Sequence, residues 1–530
     1  MPSQFILSLA RPTGYFWALL PEIVLTLWAM LVLIVDVAHK GNRAEPSRPS
    51  IGWLALAGVA AAAAANLFLL YVRAAPGTDT ALVALDGFRV FINFVILGSA
   101  ALTLLMAQGF LDRRGLNRGE FHALVLFSTA GMLLMAGARD LLMVFIGLEL
   151  MSISIYVLVG FDRLDERSAE GALKYFLLGA FSSAFFLFGI ALTWGATGTT
   201  DIVLIGKQLL GGVTLVTPLL LAGMAMLLVG FGFKVAAMPF HMWTPDAYEG
   251  APTPVTSLMS TGVKAAAFAS FIRVFVIGFG AAPEHWVRVG FWVAVVTMIG
   301  ANLIALTEGS LKRMLAYSSI AHAGYLLVAL LSDNADGAAA FLFYLLVYTL
   351  MTAGAFALLI ANAREATGEE RVSLDDWAGF AREKPLLAGL FSIFLLSLAG
   401  FPLTAGFLGK LYILRAAIAA GLTPLAVILV LASLLSYFYY LRVIVVMYMS
   451  PARVEGEHRA ARLPGPAMLG VGLSAALVVL LFFVGGWPMG WAQRSADTLW
   501  PAEWYSGAAA PVAPEHSPGA SSVRRVPGID

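Results

Sequence analysis

One feature dominates this sequence: an apolar run, close to 20 residues long and bounded by charged, glycine or proline residues, recurs about fourteen times. A hydrocarbon core about 30 Å thick needs roughly 20 apolar residues per helix, which is what each run supplies. Lipid offers no partner for a free amide, so such a run closes its own hydrogen bonds as a helix. The runs lie near 15–38, 51–72, 88–108, 121–137, 140–160, 168–194, 216–249, 254–279, 286–307, 313–331, 337–362, 384–419, 422–448 and 466–487. Composition agrees, with 60% hydrophobic residues, 12% charged residues and a mean hydropathy of +0.85; a soluble domain carries about 25% charge. The expected fold class is an all-α polytopic membrane protein of about 14 transmembrane helices.

The same composition excludes several functions. No cysteine occurs among the 530 residues, so thiolate-held iron–sulfur clusters, disulfides and Cys-type zinc sites are absent from this chain. The formal net charge is +1 with no basic block, which argues against a nucleic-acid partner. The N-terminus lacks the basic segment, short apolar core and small-residue cleavage site of a signal peptide; its first apolar run has the length of a span. The segment 506–530 is rich in Pro, Ala, Gly and Ser and is expected to be a disordered tail.

Basic residues are retained on the cytoplasmic side of short loops. Loops after odd-numbered runs carry most of them, among them Lys40, Arg43, Arg48, Arg113, Arg114, Arg163, Lys312, Arg313, Arg364, Arg371, Arg453 and Arg459. Loops after even-numbered runs carry Arg73, Arg139, Lys207, Arg288 and Arg415. Both termini are therefore expected outside the cytoplasm.

Two runs are too long to cross once. As straight helices, 216–249 and 384–419 would measure about 51 and 54 Å at 1.5 Å per residue. Each contains a proline, Pro239 and Pro402, which removes an amide donor and clashes with the preceding turn. Breaks are expected there, in the seventh and twelfth helices. Paired interrupted segments five spans apart are the pattern of an inverted repeat. The expected division is 1–120 for helices 1–3, 121–284 and 285–450 for two inverted five-helix repeats, 451–505 for the last helix and its flank, then the tail.

Ionisable groups inside these runs narrow the function. Each costs about 2.5–3.5 kcal/mol at a helix centre, so each asks for a partner or a wet cavity. Glu149, Lys234, Lys264 and Lys410 are the main candidates, with Lys174, His241 and His322 as possible relays. Lys174 lies only about 9 Å inside its helix end, and both a snorkelling anchor and a functional cation are open readings. For His241 and His322, a static hydrogen-bonding role and a relay role both stand. Glu149 and His322 are 173 residues apart and Lys234 and Lys410 are 176 apart, near-equal offsets that suit a duplicated unit. Burial disfavours an ammonium ion and a nearby carboxylate favours it, so a lysine whose anion approaches and retreats is a proton switch.

The stretch GFKVAAMPFHMWTPDAYEGAPTPVTSLMSTGVKAA, which contains Lys234, Pro239, His241 and Lys264, resembles the signature of the antiporter-like membrane subunits of respiratory complex I, shared with multisubunit cation/proton antiporters. The similarity spans most of 120–450. It implies that Glu149, Lys234, Lys264 and Lys410 match the family's proton-path positions one by one. Within the family, LLPEIVLTLWAM, DGFRVFINFVIL, a lysine on the twelfth helix and the absence of a long lateral helix are similar to the subunit N type. The resemblance implies a non-redox, proton-pumping subunit of a NADH:quinone oxidoreductase in a bacterial inner membrane. It also implies FMN, iron–sulfur clusters and quinone in partner subunits, no cofactor or metal here, and neighbours that include the antiporter-like subunit M and small subunits such as K and J. A cation/proton antiporter subunit and a structural scaffold remain the alternatives.

Overall fold

In the computed structural model the described residues are 12–40, 50–72, 80, 82–363, 370–451 and 463–500. The 506–530 tail and the loop cations Arg43, Arg48, Arg73, Arg364, Arg453 and Arg459 lie outside them. Among the described residues the chain is helical, with three isolated β-bridges and no strand. Thirteen helices among the described residues are long and apolar enough to cross a membrane. The broken twelfth, whose first half is a shorter apolar helix, makes the count fourteen.

The spans are α1 (Leu20–Lys40), α2 (Ser50–Val72), α3 (Gly87–Arg113), α4 (Gly119–Gly137), α5 (Leu141–Val159), α6 (Glu166–Thr197), α7a (Pro218–Val235) with α7b (Thr244–Gly250), and α8 (Thr253–Gly278). They continue as α9 (Pro283–Thr307), α10 (Leu311–Leu331), α11 (Ala335–Ala361), α12a (Pro385–Ala399) with α12b (Ala405–Ala419), α13 (Thr423–Met449) and α14 (Gly465–Val484). Their starts follow helix-end chemistry. Side chains of Asp86, Asp140, Asp165, Thr217, Ser310 and Asn334 accept hydrogen bonds from first-turn amides, and Pro218, Pro283 and Pro385 occupy positions whose amide has no helical partner.

Packing is graded from lipid inward. Every residue of the apolar window is buried in α8 and α10, against one third in α1, α2 and α13. Helices in lipid associate through close van der Waals packing, which favours small residues. At the α4–α5 crossing, a Cβ on Gly131 would meet the Met151 amide nitrogen at 2.5 Å and one on Gly147 would meet that of Met135 at 2.6 Å.

Both expected breaks are present. Val235 ends α7a with Ala236 in the left-handed region, and a turn containing the cis Met238–Pro239 bond leads to α7b. Ala399 ends α12a with Gly400 at φ +88°, and the chain turns through Pro402 into α12b. Two features depart from the sequence expectation. The first span begins with a separate short helix, Pro12–Ala18, before α1, and Lys312 and Arg313 belong to the first turn of α10 rather than to a loop. The amphipathic helix Ile202–Leu210 and the helix Gly486–Ala496 were not legible as apolar runs because they do not span.

Candidate functional site

Lys234 stands in the last turn of α7a, 1% exposed. Its Nζ donates to Ser152 Oγ at 2.8 Å and reaches Tyr156 OH at 3.5 Å, both on α5. The rings of Tyr156, Tyr175 and Phe233 surround it at 5.5 to 5.7 Å, near enough for their negative faces to attract the cation. Trp243, on the far side of the break, donates its indole N–H to the Phe233 carbonyl at 3.0 Å and stacks on Tyr175 at 4.3 Å. That carbonyl also accepts from the Ala236 amide at 3.1 Å, so Trp243 adds a second bond there and closes the aromatic box.

Glu149 lies half-buried on α5, one turn before Ser152. Its Oε1 accepts from Ser183 Oγ at 2.5 Å. It makes no ion pair with Lys234, whose amine rests on Ser152 one turn along the same helix. Neighbours along its helix, Ile146, Leu150 and Ile153, are exposed, so the carboxylate opens toward the outer surface of the bundle.

Lys264 is buried where the α-helical middle of α8 meets a π-helical stretch, Met259–Val263. π-Bulges of this kind recur at functional sites. Its Nζ donates to the carbonyl and hydroxyl of Ser319 on α10, at 2.7 and 2.5 Å. The hydroxyls of Tyr248 and Tyr348 are buried without hydrogen-bond partners, and the Tyr348 ring lies 5.3 Å from that of His322. One turn further along α10, His322 Nδ1 meets Tyr344 OH at 2.6 Å and Nε2 meets Tyr440 OH at 3.4 Å, while Tyr440 also hydrogen-bonds Ser318.

Lys410, in the second turn of α12b, turns back across the break. Its Nζ donates to the carbonyls of Leu398 and Ala399 at 3.0 and 2.8 Å and lies 4.9 Å from the Tyr325 ring centroid. Those carbonyls are the unpaired, negative end of the α12a dipole, a natural seat for a cation. Gly400 is required twice over: its φ is positive, and a Cβ there would sit 2.9 Å from Lys410 Cδ. Tyr325 follows His322 on α10, their rings 5.2 Å apart. Aromatic and hydroxyl groups therefore connect Lys264, His322 and Lys410 across α8, α10, α11, α12 and α13.

Among the described residues no carboxylate lies within ion-pair distance of Lys234, Lys264 or Lys410; their nitrogens rest on hydroxyls and carbonyls. Other predicted residues sit elsewhere. Lys174 is 44% exposed in its side chain and bridges Glu170 and Asp246 at 2.6 and 2.7 Å, part of a surface ion network with Arg313 and Glu249. His241 is half-buried beside the exposed Pro239, its Nδ1 without a partner, and the structure does not join it to the lysines. Pro402 is exposed in the second break. Among the described residues no group of three His, Cys, Asp or Glu side chains is arranged to hold a metal. Glu22, Arg273 and Arg442, also within apolar runs, pair locally: Glu22 with Arg89, Arg273 with Asp86, and Arg442 with the carbonyls of Leu306 and Glu308.

Sequence reasoning did not find Ser152, Tyr156, Ser319, Tyr344 and Tyr440.

The transmembrane family described as NADH:quinone oxidoreductase/Mrp antiporter covers residues 138–436. The NADH-quinone oxidoreductase subunit N of Trichlorobacter lovleyi is 44% identical over 483 residues, covering 91% of this chain and 97% of its own. That of Gemmatimonas aurantiaca is 44% identical over 497 residues, covering 91% and 94%. A chain of Thermus thermophilus respiratory complex I with bound aureothin superposes with a TM-score of 0.74 at 34% identity, over 89% of this chain and 98% of that one. A chain of the Mrp complex from a Dietzia species superposes with a TM-score of 0.75 at 21% identity, over 90% and 97%, a likeness of fold.

Proposed function

We infer the function of this chain from a settled premise: it belongs to the NADH:quinone oxidoreductase/Mrp antiporter transmembrane family. It is a proton-translocating membrane subunit of a NADH:quinone oxidoreductase, akin to subunit N. We propose that protons taken up from the cytoplasm pass from Lys234 by way of Lys264 and His322 to Lys410 and leave on the outer side. The observation that carries this reading is that three buried amines rest on neutral oxygens with no fixed anion. A permanent ion pair would lock an ammonium in place, whereas a hydroxyl accepts from –NH3+ and donates to –NH2. Lys234 and Lys264, each on a serine hydroxyl, are thus held in either protonation state, while Lys410 rests on the α12a carbonyls. Glu149, next to Ser152 and open to the bundle surface, is the coupling residue, whose charge a neighbouring subunit would shift.

The remaining assignments follow the family. Each broken helix is the fourth member of one of two inverted five-helix repeats, helices 4–8 and 9–13. Redox chemistry, with FMN, iron–sulfur clusters and quinone, belongs to partner subunits, and the immediate neighbours are the antiporter-like subunit M and small subunits such as K and J. The chain sits in a bacterial inner membrane with both termini on the periplasmic side. The test is reconstitution of the whole complex carrying Lys234→Ala or Lys410→Ala. The account expects normal assembly with proton pumping lost; full pumping in either variant removes that lysine from the path, and failure of assembly alone supports a scaffold role.

A further inference from the structure

One buried ion pair stands outside the lysine line. Lys312, in the first turn of α10, and Glu370, in the segment before α12a, meet at 2.5 Å with side chains 3% and 9% exposed. Lys312 also donates to the Ala251 carbonyl at 3.0 Å, and the Thr253 hydroxyl donates to Glu370. The pair therefore ties together the end of helix seven, the start of α8, the start of α10 and the segment before α12a.

Anchoring that segment does not account for it. An antiparallel bridge holds the same segment to α10, through Leu311 N to Val372 O at 2.7 Å and Leu374 N to Gly309 O at 2.8 Å. Trp377, fully buried, packs it on Phe380 and Phe391. Buried ion pairs are close to neutral in stability, so a segment already docked gains little from this one. What the pair covers is more telling. Thr253, Ser257, Ser260 and Lys264 follow one another at helical spacings of four, three and four and share one face of α8, a polar line about 16 Å long by helical rise. Ser257 Oγ is buried there without a partner. On α10, Lys312 and Ser319, the oxygen ligand of Lys264, lie two turns apart on one face.

We propose that Glu370 and Lys312 gate a second cytoplasmic inlet, one that joins the proton path at Lys264: the closed pair seals the polar line to Lys264, and its parting opens that line to cytoplasmic water. The inference rests on the sidedness given under the proposed function. Burial pushes the Glu370 carboxyl up, but the charge and hydrogen bond of Lys312, with Thr253 and Arg114, outweigh it and hold the group below the usual carboxylate range. The Glu370 carboxyl of the closed pair is thus ionised at neutral pH, a latch rather than a proton carrier.

The chain's lack of cysteine provides the test. Ser257→Cys is introduced into the assembled complex, in vesicles with the cytoplasmic face outward, and its labelling by a membrane-impermeant methanethiosulfonate is read from the mass of this chain. The proposal expects slow labelling with the pair intact, at least tenfold faster labelling with Glu370→Gln or Lys312→Met, and a return to slow labelling in the charge-reversed Glu370→Lys/Lys312→Glu chain. Equal rates in parent and variants overturn it, as does acceleration only from the opposite face. The readout requires no pumping, so a silent Lys264 variant leaves the gate standing and a failed gate leaves the lysine line standing.

Discussion

Glu149 and Lys234 do not touch: Ser183 holds the carboxylate at 2.5 Å, while Ser152, one turn along the same helix, holds the ammonium at 2.8 Å. The anion acts on the amine from behind a hydroxyl, so a modest change in its position or charge alters its pull without breaking a salt bridge. Coupling of this kind is inexpensive to reverse. A direct buried pair, by contrast, costs about 3–5 kcal/mol to break from one side.

Replacing Glu149 by Gln keeps an acceptor for Ser183 and removes the charge. The complex is expected to assemble and oxidise NADH while protons pumped per NADH fall severalfold in proteoliposomes. Ser183→Ala, which deletes one hydrogen bond worth about 1 kcal/mol, is expected to be milder. Parent-level pumping in Glu149→Gln would remove it as the coupling group.

At the second break, Gly400→Ala places a methyl group where Lys410 lies and forces an L-residue into the left-handed region. The conformational part alone costs about 1–2 kcal/mol. Gly421→Ala is the control, since its φ is +77° with nothing within 4 Å. Thermal melting is expected to fall in both, and pumping only in Gly400→Ala. An equal pumping loss in both would separate Lys410 placement from function.

His322 is expected to pass protons through its hydroxyl partners. Tyr344→Phe deletes the OH at 2.6 Å from Nδ1 and keeps the ring. Lower pumping per NADH at unchanged assembly is the expected result; parent values would return His322 to a static role.

Outside the spans, Asp86 caps α3 and binds Arg273 through both oxygens, at 2.7 Å each. Burial raises its pKa, but the charge and hydrogen bond of Arg273, with help from Arg89, outweigh burial and hold it below 3.8. A depressed carboxylate stabilises the fold above its unfolded value and loses that contribution as pH falls through the folded value. The Asp86 contribution is therefore fully present and independent of pH near neutrality, and melting temperature is expected to drop below about pH 4 as it is lost. Asp86→Asn, which leaves Arg273 buried and uncompensated, should cost about 3–5 kcal/mol at pH 7. A variant melting like the parent at pH 7 would contradict this.

Much of the architecture was legible because lipid imposes a length on every span and a penalty on every charge within it. The breaks could be read from runs too long to cross once, and the buried lysines from their isolation in apolar sequence. The partners could not. Ser319, Tyr344 and Tyr440 lie 55, 80 and 176 residues from Lys264, and serine and tyrosine are unremarkable in a helix bundle until topology brings them together. Lys312 was read as a loop cation because it borders a span; only its contact with Glu370, 58 residues on, reveals it as buried. Ala236 takes a conformation that sequence assigns to glycine, since the cap is imposed by the turn that follows.

The central claim is that Lys264 works by gaining and losing a proton rather than by being charged. Lys264→Arg tests it most directly, because arginine keeps the charge and hydrogen-bond donors and does not deprotonate in proteins. In the assembled, reconstituted complex the account predicts that this variant pumps no more protons per NADH than Lys264→Met. Pumping at the parent ratio by the arginine variant would contradict it.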